Sequence, residues 1–273
     1  MTTDSNQDKQ KVADVFNLVA SGYDHPSLRF FPLCADTMVH FLHPEPDCKI
    51  LDIATGTGVA AVAAGKQLGS QGRVHAIDLS AGMIEKATDN VEKMALNNID
   101  FHLMDAEKLE FKDNYFDYAM CAFGLFFLPD IQAALKQFFR VLKTNGRLVF
   151  TSFNLDSFQP MADIFRTQME EYGIKVENPA WYKLNTRQQC EQLLSDVGAI
   201  NIEVHEKQMG YYLNSEQDWW PAMWNSGWRG YLEQLTAEQL EQFQKQHLDS
   251  VRELVTDKGL WLDVTVLFAL GEK

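Results

Sequence analysis

A chain of 273 residues, 46% of them hydrophobic, is long enough for one large domain or a core domain carrying insertions, which excludes general disorder. Its 24 Lys and Arg against 38 Asp and Glu leave a formal charge of −14, a field that repels phosphate polyanions and argues against a nucleic-acid partner. No basic run, signal-peptide pattern or apolar stretch of about 18 residues is present, so neither lipid anchoring nor integral membrane association is expected.

In chain order, residues 1–10 are polar and read as a frayed end. Val12 to about Leu42 reads as mainly helical, broken at Gly22 and Pro26, before the Pro-interrupted linker HPEPDCK. Strands and helices then alternate. Lys49–Ala54 is a short apolar strand, and the Ala-rich Gly58–Leu68 is a helix. Arg73–Asp78 is a second strand, after which Ser80 caps a helix with Met83, Ile84, Ala87, Val91 and Met94 on one face. Ile99–Met104 and Phe116–Cys121 are strands three and four. Asp130 caps a helix striped by Ile131, Leu135, Phe138 and Leu142 that ends near Gly146, and Arg147–Phe153 is strand five. Five such units predict an α/β fold with a doubly wound, largely parallel sheet.

Further on, Thr186 opens a capping box with Gln189 for a helix that stops at Gly198, and Ile200–Glu206 is a sixth strand. An aromatic segment, DWWPAMWNSGWRGYLEQL, precedes a helix capped by Thr236 with Leu240, Phe243, Val251 and Leu254 on one side. Leu260–Leu270 reads as one long final strand. This organisation divides into an N-terminal helical segment (1–45), a core (46–153), an insertion (154–185), a core helix and strand (186–206), an aromatic-rich insertion (207–259) and the last strand (260–273). Cys34, Cys48, Cys121 and Cys190 lie far apart with no C-x-x-C pair, so we expect buried thiols and a cytoplasmic protein.

The turn after strand one, DIATGTG, poses the functional question. Gly56-Thr57-Gly58-Val59-Ala60-Ala61 fits the G-x-G-x-x-G/A dinucleotide fingerprint, with Asp78 at the expected distance for ribose hydroxyls. Asp52, however, would face a pyrophosphate at short range, where like charges cost roughly 4 kcal/mol at 4 Å for an effective dielectric of about 20. A cationic ligand without phosphate, such as S-adenosylmethionine, reverses that sign. Asp105, closing strand three, is placed to take a donor such as an adenine amino group. Single strand-end carboxylates often only cap helices; three ending successive strands beside a Gly turn point to an adenosyl ligand.

The segments DIATGTG, HAIDLSAGMIEKA, LMDAEKLEF, FDYAMCAFGLFFLPD and LKTNGRLVFTSF, in that order, resemble class I S-adenosylmethionine-dependent methyltransferases, and among them the small-molecule enzymes of the ubiquinone/menaquinone-biosynthesis type. The resemblance covers residues 12 to about 153 well, and the framework to 270 more loosely. It implies a Rossmann-like, seven-stranded sheet whose last strand is antiparallel, with the insertions forming helical lids. It also implies S-adenosylmethionine as cofactor, held by Asp52, Ala54, Gly56 and Gly58 around the methionine part, Asp78 at the ribose, and Leu79 with Met83 near the adenine. Asp105 and Ala106 would meet the adenine edge, and Cys121 with Phe123 the other side of the cofactor. Ala54 stands where many methyltransferases carry Gly.

Methyl transfer needs positioning above all, and a base only when the acceptor must lose a proton. Tyr23 and His25 are the catalytic candidates: Tyr23 as a residue closing the site, His25 as a base, against the plainer reading of a turn histidine before Pro26. Phe126, Trp224, Trp228 and Arg229 are the expected substrate contacts. Trp220, Trp224 and Trp228 share one face if their segment is a single helix, and Arg229 would meet an anionic group or form a surface ion pair. His40 and His43 lack further ligands for a metal site. The expected partner is a small molecule; a nicotinamide-dependent oxidoreductase and a non-catalytic adenosyl-ligand binder are the alternatives.

Overall fold

The computed structural model describes residues 3–177 and 179–273. Helix α1 (Thr3–Val19) and α2 (Phe30–Leu42) precede the sheet, joined by two 3-10 turns at Ala20–Gly22 and Pro26–Leu28. The expected frayed end is instead helical from Thr3. Its stability comes from tertiary anchors, among them the half-buried Phe16 and the buried Ala13 and Lys9, which composition alone does not reveal.

The alternation that follows is β1 (Lys49–Ile53), α3 (Val59–Gly65), β2 (Arg73–Asp78), α4 (Ala81–Lys93), β3 (Ile99–Leu103), β4 (Phe116–Cys121), α5 (Ile131–Val141) and β5 (Leu142–Phe153). Beyond it come α6 (Met161–Glu171), α7 (Arg187–Asp196), β6 (Ile200–Gln208), β7 (Tyr211–Leu213), α8 (Trp219–Trp224), α9 (Arg229–Leu232), α10 (Ala237–Arg252), β8 (Leu260–Leu262) and β9 (Thr265–Glu272). The seven-stranded sheet has the order β3-β2-β1-β4-β5-β9-β6. β9 runs antiparallel to both its neighbours, while β1 to β5 pair in parallel. The sheet's central strands are buried on both faces, as their near-continuous apolar sequences require.

Local chemistry explains most boundaries. Ser80 accepts from the Met83 N–H and Asp130 from the Ala133 N–H, and full capping boxes open α7 at Thr186 and α10 at Thr236. α4 turns Met83, Ala87 and Val91 inward, but Met94, expected on that face, is half exposed just beyond the helix. α5 gives way to β5 at Leu142, earlier than the Gly146 stop suggested. The expected final strand divides in two: β8 pairs with β7 in a separate hairpin, and only β9 joins the main sheet. Asp263 makes the corner, accepting from Gln208 Nε2 at 2.9 Å and Thr265 Oγ1 at 3.0 Å. It is the one charged residue in LWLDVTVLFAL.

The aromatic segment is not one helix. α8 ends at Trp224, and Asn225 to Trp228 form turns before the four-residue α9, so Trp228 leaves the face on which Trp220 and Trp224 stack at 5.9 Å. Pro221 sits in the first turn of α8, where its missing N–H costs nothing. Trp228 packs instead on Phe165 of α6, at 4.7 Å and 79°.

Candidate active site

The sheet order reverses between β1 and its neighbours β2 and β4, and ligands of open α/β sheets bind beyond the strand ends at such a point. A cavity with about 770 Å³ of empty space lies there. Ala54 and Gly56 follow β1, Asp78 and Leu79 end β2, Asp105 and Ala106 follow β3, Phe123 follows β4, and Met83 reaches in from α4; all eight line it. Of the expected cofactor residues, Asp52, Gly58 and Cys121 stand behind this lining. Gly58, at φ 85°, lets α3 approach α4: a Cβ there would sit 3.1 Å from that of Ala87.

The turn is held by the acids themselves. Asp78 accepts from the Gly56 N–H at 2.8 Å and the Ser80 N–H at 2.9 Å, so its carboxylate is fixed before any ligand arrives. Burial pushes Asp78 above the usual carboxylate range against the pull of those donors. Asp52 is fully buried; one oxygen accepts from Thr55 Oγ1 at 2.6 Å, and the other, Oδ1, has no partner among the described residues. Burial pushes Asp52 up to about 7, partly opposed by the Thr55 hydrogen bond and by the Ala61 N–H at the start of α3, which approaches the carboxyl without reaching full hydrogen-bond geometry. Its carboxylate therefore acts through the loop rather than by facing the cavity, a correction to the direct repulsion expected from sequence.

Asp105 is also engaged. Lys9 of α1 reaches it at 2.8 Å and also pairs with the buried Glu107, while Asp105 accepts from the Glu107 N–H at 2.9 Å. Lys9, Val12, Ala13 and Phe16 cover the cavity from α1. Sequence reasoning missed Lys9 because it took the first ten residues as frayed, and gave Val12, Ala13 and Phe16, inside the expected helix, no place at the site. The signal was present, since positions 9, 12, 13 and 16 form a helical stripe.

A second cavity, with about 1020 Å³ of empty space, adjoins the first. Phe16, Tyr23, Phe123 and Phe127 line both. Phe123 adopts φ 54°, a left-handed conformation rare for a bulky residue, held by its N–H to Thr151 Oγ1 at 3.0 Å and by stacking on Phe153 at 4.4 Å. The same bend brings Gly124 against Ala54, itself at φ 54°: a Cβ on Gly124 would lie 2.4 Å from that of Ala54.

Phe126 and Trp228, two of the expected substrate contacts, line this second cavity, as do Phe153, Phe158, Trp181 and Trp219, which sequence reasoning did not assign. Trp224 and Arg229 do not line it. The Arg229 guanidinium lies 3.1 Å over the Trp224 ring and pairs with Glu233 at 2.5 Å, the self-contained arrangement of an ordinary i,i+4 pair. His25 is likewise away from both cavities: it is exposed, and its Nδ1 meets Ser27 Oγ at 2.8 Å as the cap of a 3-10 turn. Tyr23 does stand at the junction. Burial, reinforced by Asp78 and Asp24, pushes its phenol well above the ordinary value, so it is a neutral donor rather than a base. Asp24 anchors the segment, accepting from Thr57 Oγ1 at 2.5 Å and Asn90 Nδ2 at 2.9 Å.

The first cavity fits an adenosyl ligand carrying positive charge. Ile77, Leu79, Met83 and Met104 offer apolar walls for a flat base, Asp78 offers a fixed carboxylate, and Lys9, the one cation among the described lining residues, is already neutralised. A pyrophosphate would meet carboxylates and no free cation.

Comparison with known proteins agrees with this geometry. A family model described as the ubiE/COQ5 methyltransferase family matches residues 3–181. Aklanonic acid methyltransferase DauC of Streptomyces sp. (strain C5) is 37% identical over 144 residues, covering 53% of this chain and 66% of that one. Demethylmenaquinone methyltransferase of Staphylococcus haemolyticus is 33% identical over 186 residues, covering 67% and 75%. The structure of YcgJ protein from Bacillus subtilis overlays with a TM-score of 0.60 at 19% identity, covering 88% of this chain and 97% of that one, which supports the fold. The chain thus belongs to the ubiE/COQ5 methyltransferase family, enzymes that draw the methyl group from S-adenosylmethionine.

Proposed function

We propose that this enzyme methylates a largely apolar, ring-bearing small molecule seated in the second cavity, and that Asp78, Gly56, Ala54, Leu79, Met83, Asp105, Ala106 and Phe123 hold the cofactor in the first. The carrying observation is the shared aromatic wall: Phe16, Tyr23, Phe123 and Phe127 border both spaces, so two ligands would meet across it. When bound, S-adenosylmethionine supplies an electrophilic methyl on a sulfonium. The chain's part is to orient the acceptor in line and to exclude water, which alone can supply much of the rate.

The lining supports this division of labour. Among the described residues of the second cavity the titratable groups are Tyr23, Tyr231 and Glu177. Burial raises both phenols, so both stay protonated, and Glu177 is exposed at the rim, 3.3 Å from Lys175. Neither phenol serves as an internal base, so an acceptor that loses a proton would give it to Glu177 or to water. The Trp181 indole N–H is buried without a partner among the described residues, and a carbonyl or phenolic oxygen on the acceptor would satisfy it. Rings would stack on Phe153, Phe158 and Trp228. Buried Cys34, Cys48, Cys121 and Cys190, all unpaired, support a cytoplasmic setting, and no helix among the described residues is long and apolar enough to cross a membrane.

The test follows labelled methyl from S-adenosylmethionine into a panel of naphthols, hydroquinones and anthraquinone acids beside polar acceptors such as amino acids. Aklanonic acid and demethylmenaquinone head the panel because relatives bear their names. Transfer to ring-bearing acceptors is expected. Transfer confined to the polar acceptors, or calorimetric binding of NADH in place of S-adenosylhomocysteine, would refute the proposal.

A further inference from the structure

A buried polar chain runs behind the second cavity and plays no part in the reading above. Trp219, whose ring lines that cavity, is 1% exposed, and its Nε1–H donates to Nε2 of His247 at 2.9 Å. His247 is fully buried, and its Nδ1 meets Gln168 Oε1 at 2.7 Å. The Gln168 amide nitrogen donates in turn to Ser250 Oγ at 3.0 Å, which donates to the Gln246 carbonyl at 3.1 Å.

Each role in this chain is forced by the one before it. An indole N–H only donates, so Nε2 of His247 must accept, and the ring proton sits on Nδ1. Nδ1–H then fixes the Gln168 oxygen, which turns the amide nitrogen toward Ser250. Only a neutral imidazole fits, because a cation would set N–H against N–H. Burial holds His247 down at about 4, so the ring is neutral at physiological pH. Stacking on Phe243 (5.4 Å, 8°) and edge contact with Phe165 (6.0 Å) fix its plane, and Phe165 itself carries Trp228 of the cavity wall.

We infer that His247 is a positioning residue for the acceptor cavity: it locks the Trp219 indole in place and, through Gln168, ties α6 of the first insertion to α8 and α10 of the second. An all-apolar contact could hold these helices together, but without a directional bond the indole plane could slide and turn. The inference rests on the reading of the second cavity as the acceptor site.

The experiment uses the full chain, naphthol as the cavity probe, and hydrogen exchange of the Trp219 indole N–H followed by NMR. In His247→Leu the indole N–H should lose protection and naphthol should bind about tenfold more weakly, as expected for a buried donor left without its partner. S-adenosylhomocysteine affinity should stay unchanged. His247→Gln, whose amide can accept from Trp219 and donate to Gln168, should restore both signals. Trp219→Phe keeps a ring without the donor and should bind naphthol as weakly as His247→Leu. Combining Trp219→Phe with His247→Gln should cost nothing further. If the leucine variant fails to fold, Trp219→Phe measured against the wild type and the double variant carry the test, and naphthol affinity unchanged in Trp219→Phe would overturn the inference. Equal protection of Trp219 in the leucine variant and the wild type, or a glutamine variant as defective as the leucine one, would overturn the inference. Absence of naphthol binding in the wild type, with Trp219 protection still following His247, would instead refute the acceptor-site reading and leave the positioning intact.

Discussion

Replacing Asp52 by asparagine tests how the first motif handles charge. A carboxyl whose ordinary value is 3.8 is held at about 7 by full burial, with one oxygen lacking any partner among the described residues. Because the folded value is raised, Asp52 favours folding fully below pH 4, where both states are protonated, and that contribution drains away as the pH climbs to 7. At about 1.4 kcal/mol per pH unit the total is about 4 kcal/mol, a large part of a typical folding free energy. An asparagine side chain mimics the protonated form and keeps an oxygen for Thr55. The Asp52→Asn variant should therefore match the wild type near pH 4 and exceed its urea-unfolding stability progressively up to about pH 8. The cofactor reverses the preference, since a sulfonium and an ammonium nearby favour the carboxylate. Calorimetry at pH 7 in buffers of different protonation enthalpy should then record release of about half a proton on S-adenosylmethionine binding. The variant has no such proton to release, and should bind the cofactor more weakly and without pH dependence. Parallel stability curves for the two proteins, or a binding enthalpy independent of buffer, would refute this account.

Three further outcomes are expected. Asp78→Asn keeps one acceptor for the Gly56 and Ser80 N–H groups but sets an amide donor against the other, and should weaken S-adenosylhomocysteine binding by roughly 1.5–3 kcal/mol in calorimetry. Lys9→Met leaves Asp105 and the buried Glu107 facing each other without a cation, and should cost about 3 kcal/mol in urea unfolding while loosening α1 over the cofactor cavity. His25→Ala removes only a 3-10 cap beyond both cavities, so turnover with a ring-bearing acceptor should stay within about twofold, given a cap energy near 1 kcal/mol.

The α/β alternation, the caps at Ser80, Asp130, Thr186 and Thr236 and the acids around the Gly turn were legible because each depends on residues a few positions apart. Periodicity, capping geometry and turn chemistry are local physics, and the chain states them directly. The corner at Asp263 was missed because an apolar run on either side of one charge reads as a single strand. Its division depends on Gln208, 55 residues away, which supplies the hydrogen bond that turns the chain. The aromatic segment failed in a similar way: spacing put three Trp residues on one face, but the break after Trp224 sent Trp228 to Phe165 and left Arg229 with Trp224 and Glu233.

By itself, then, the sequence determined the fold class and the chemistry of the cofactor turn, because backbone propensity and charge type are carried residue by residue. Tertiary structure alone decided which aromatic side chains line the second cavity, that Lys9 covers the first cavity while pairing with Asp105, and that Asp52 is held near neutrality. Those outcomes depend on burial and on contacts between residues tens to nearly a hundred positions apart, and desolvation is a property of the packed surroundings rather than of any residue's own identity.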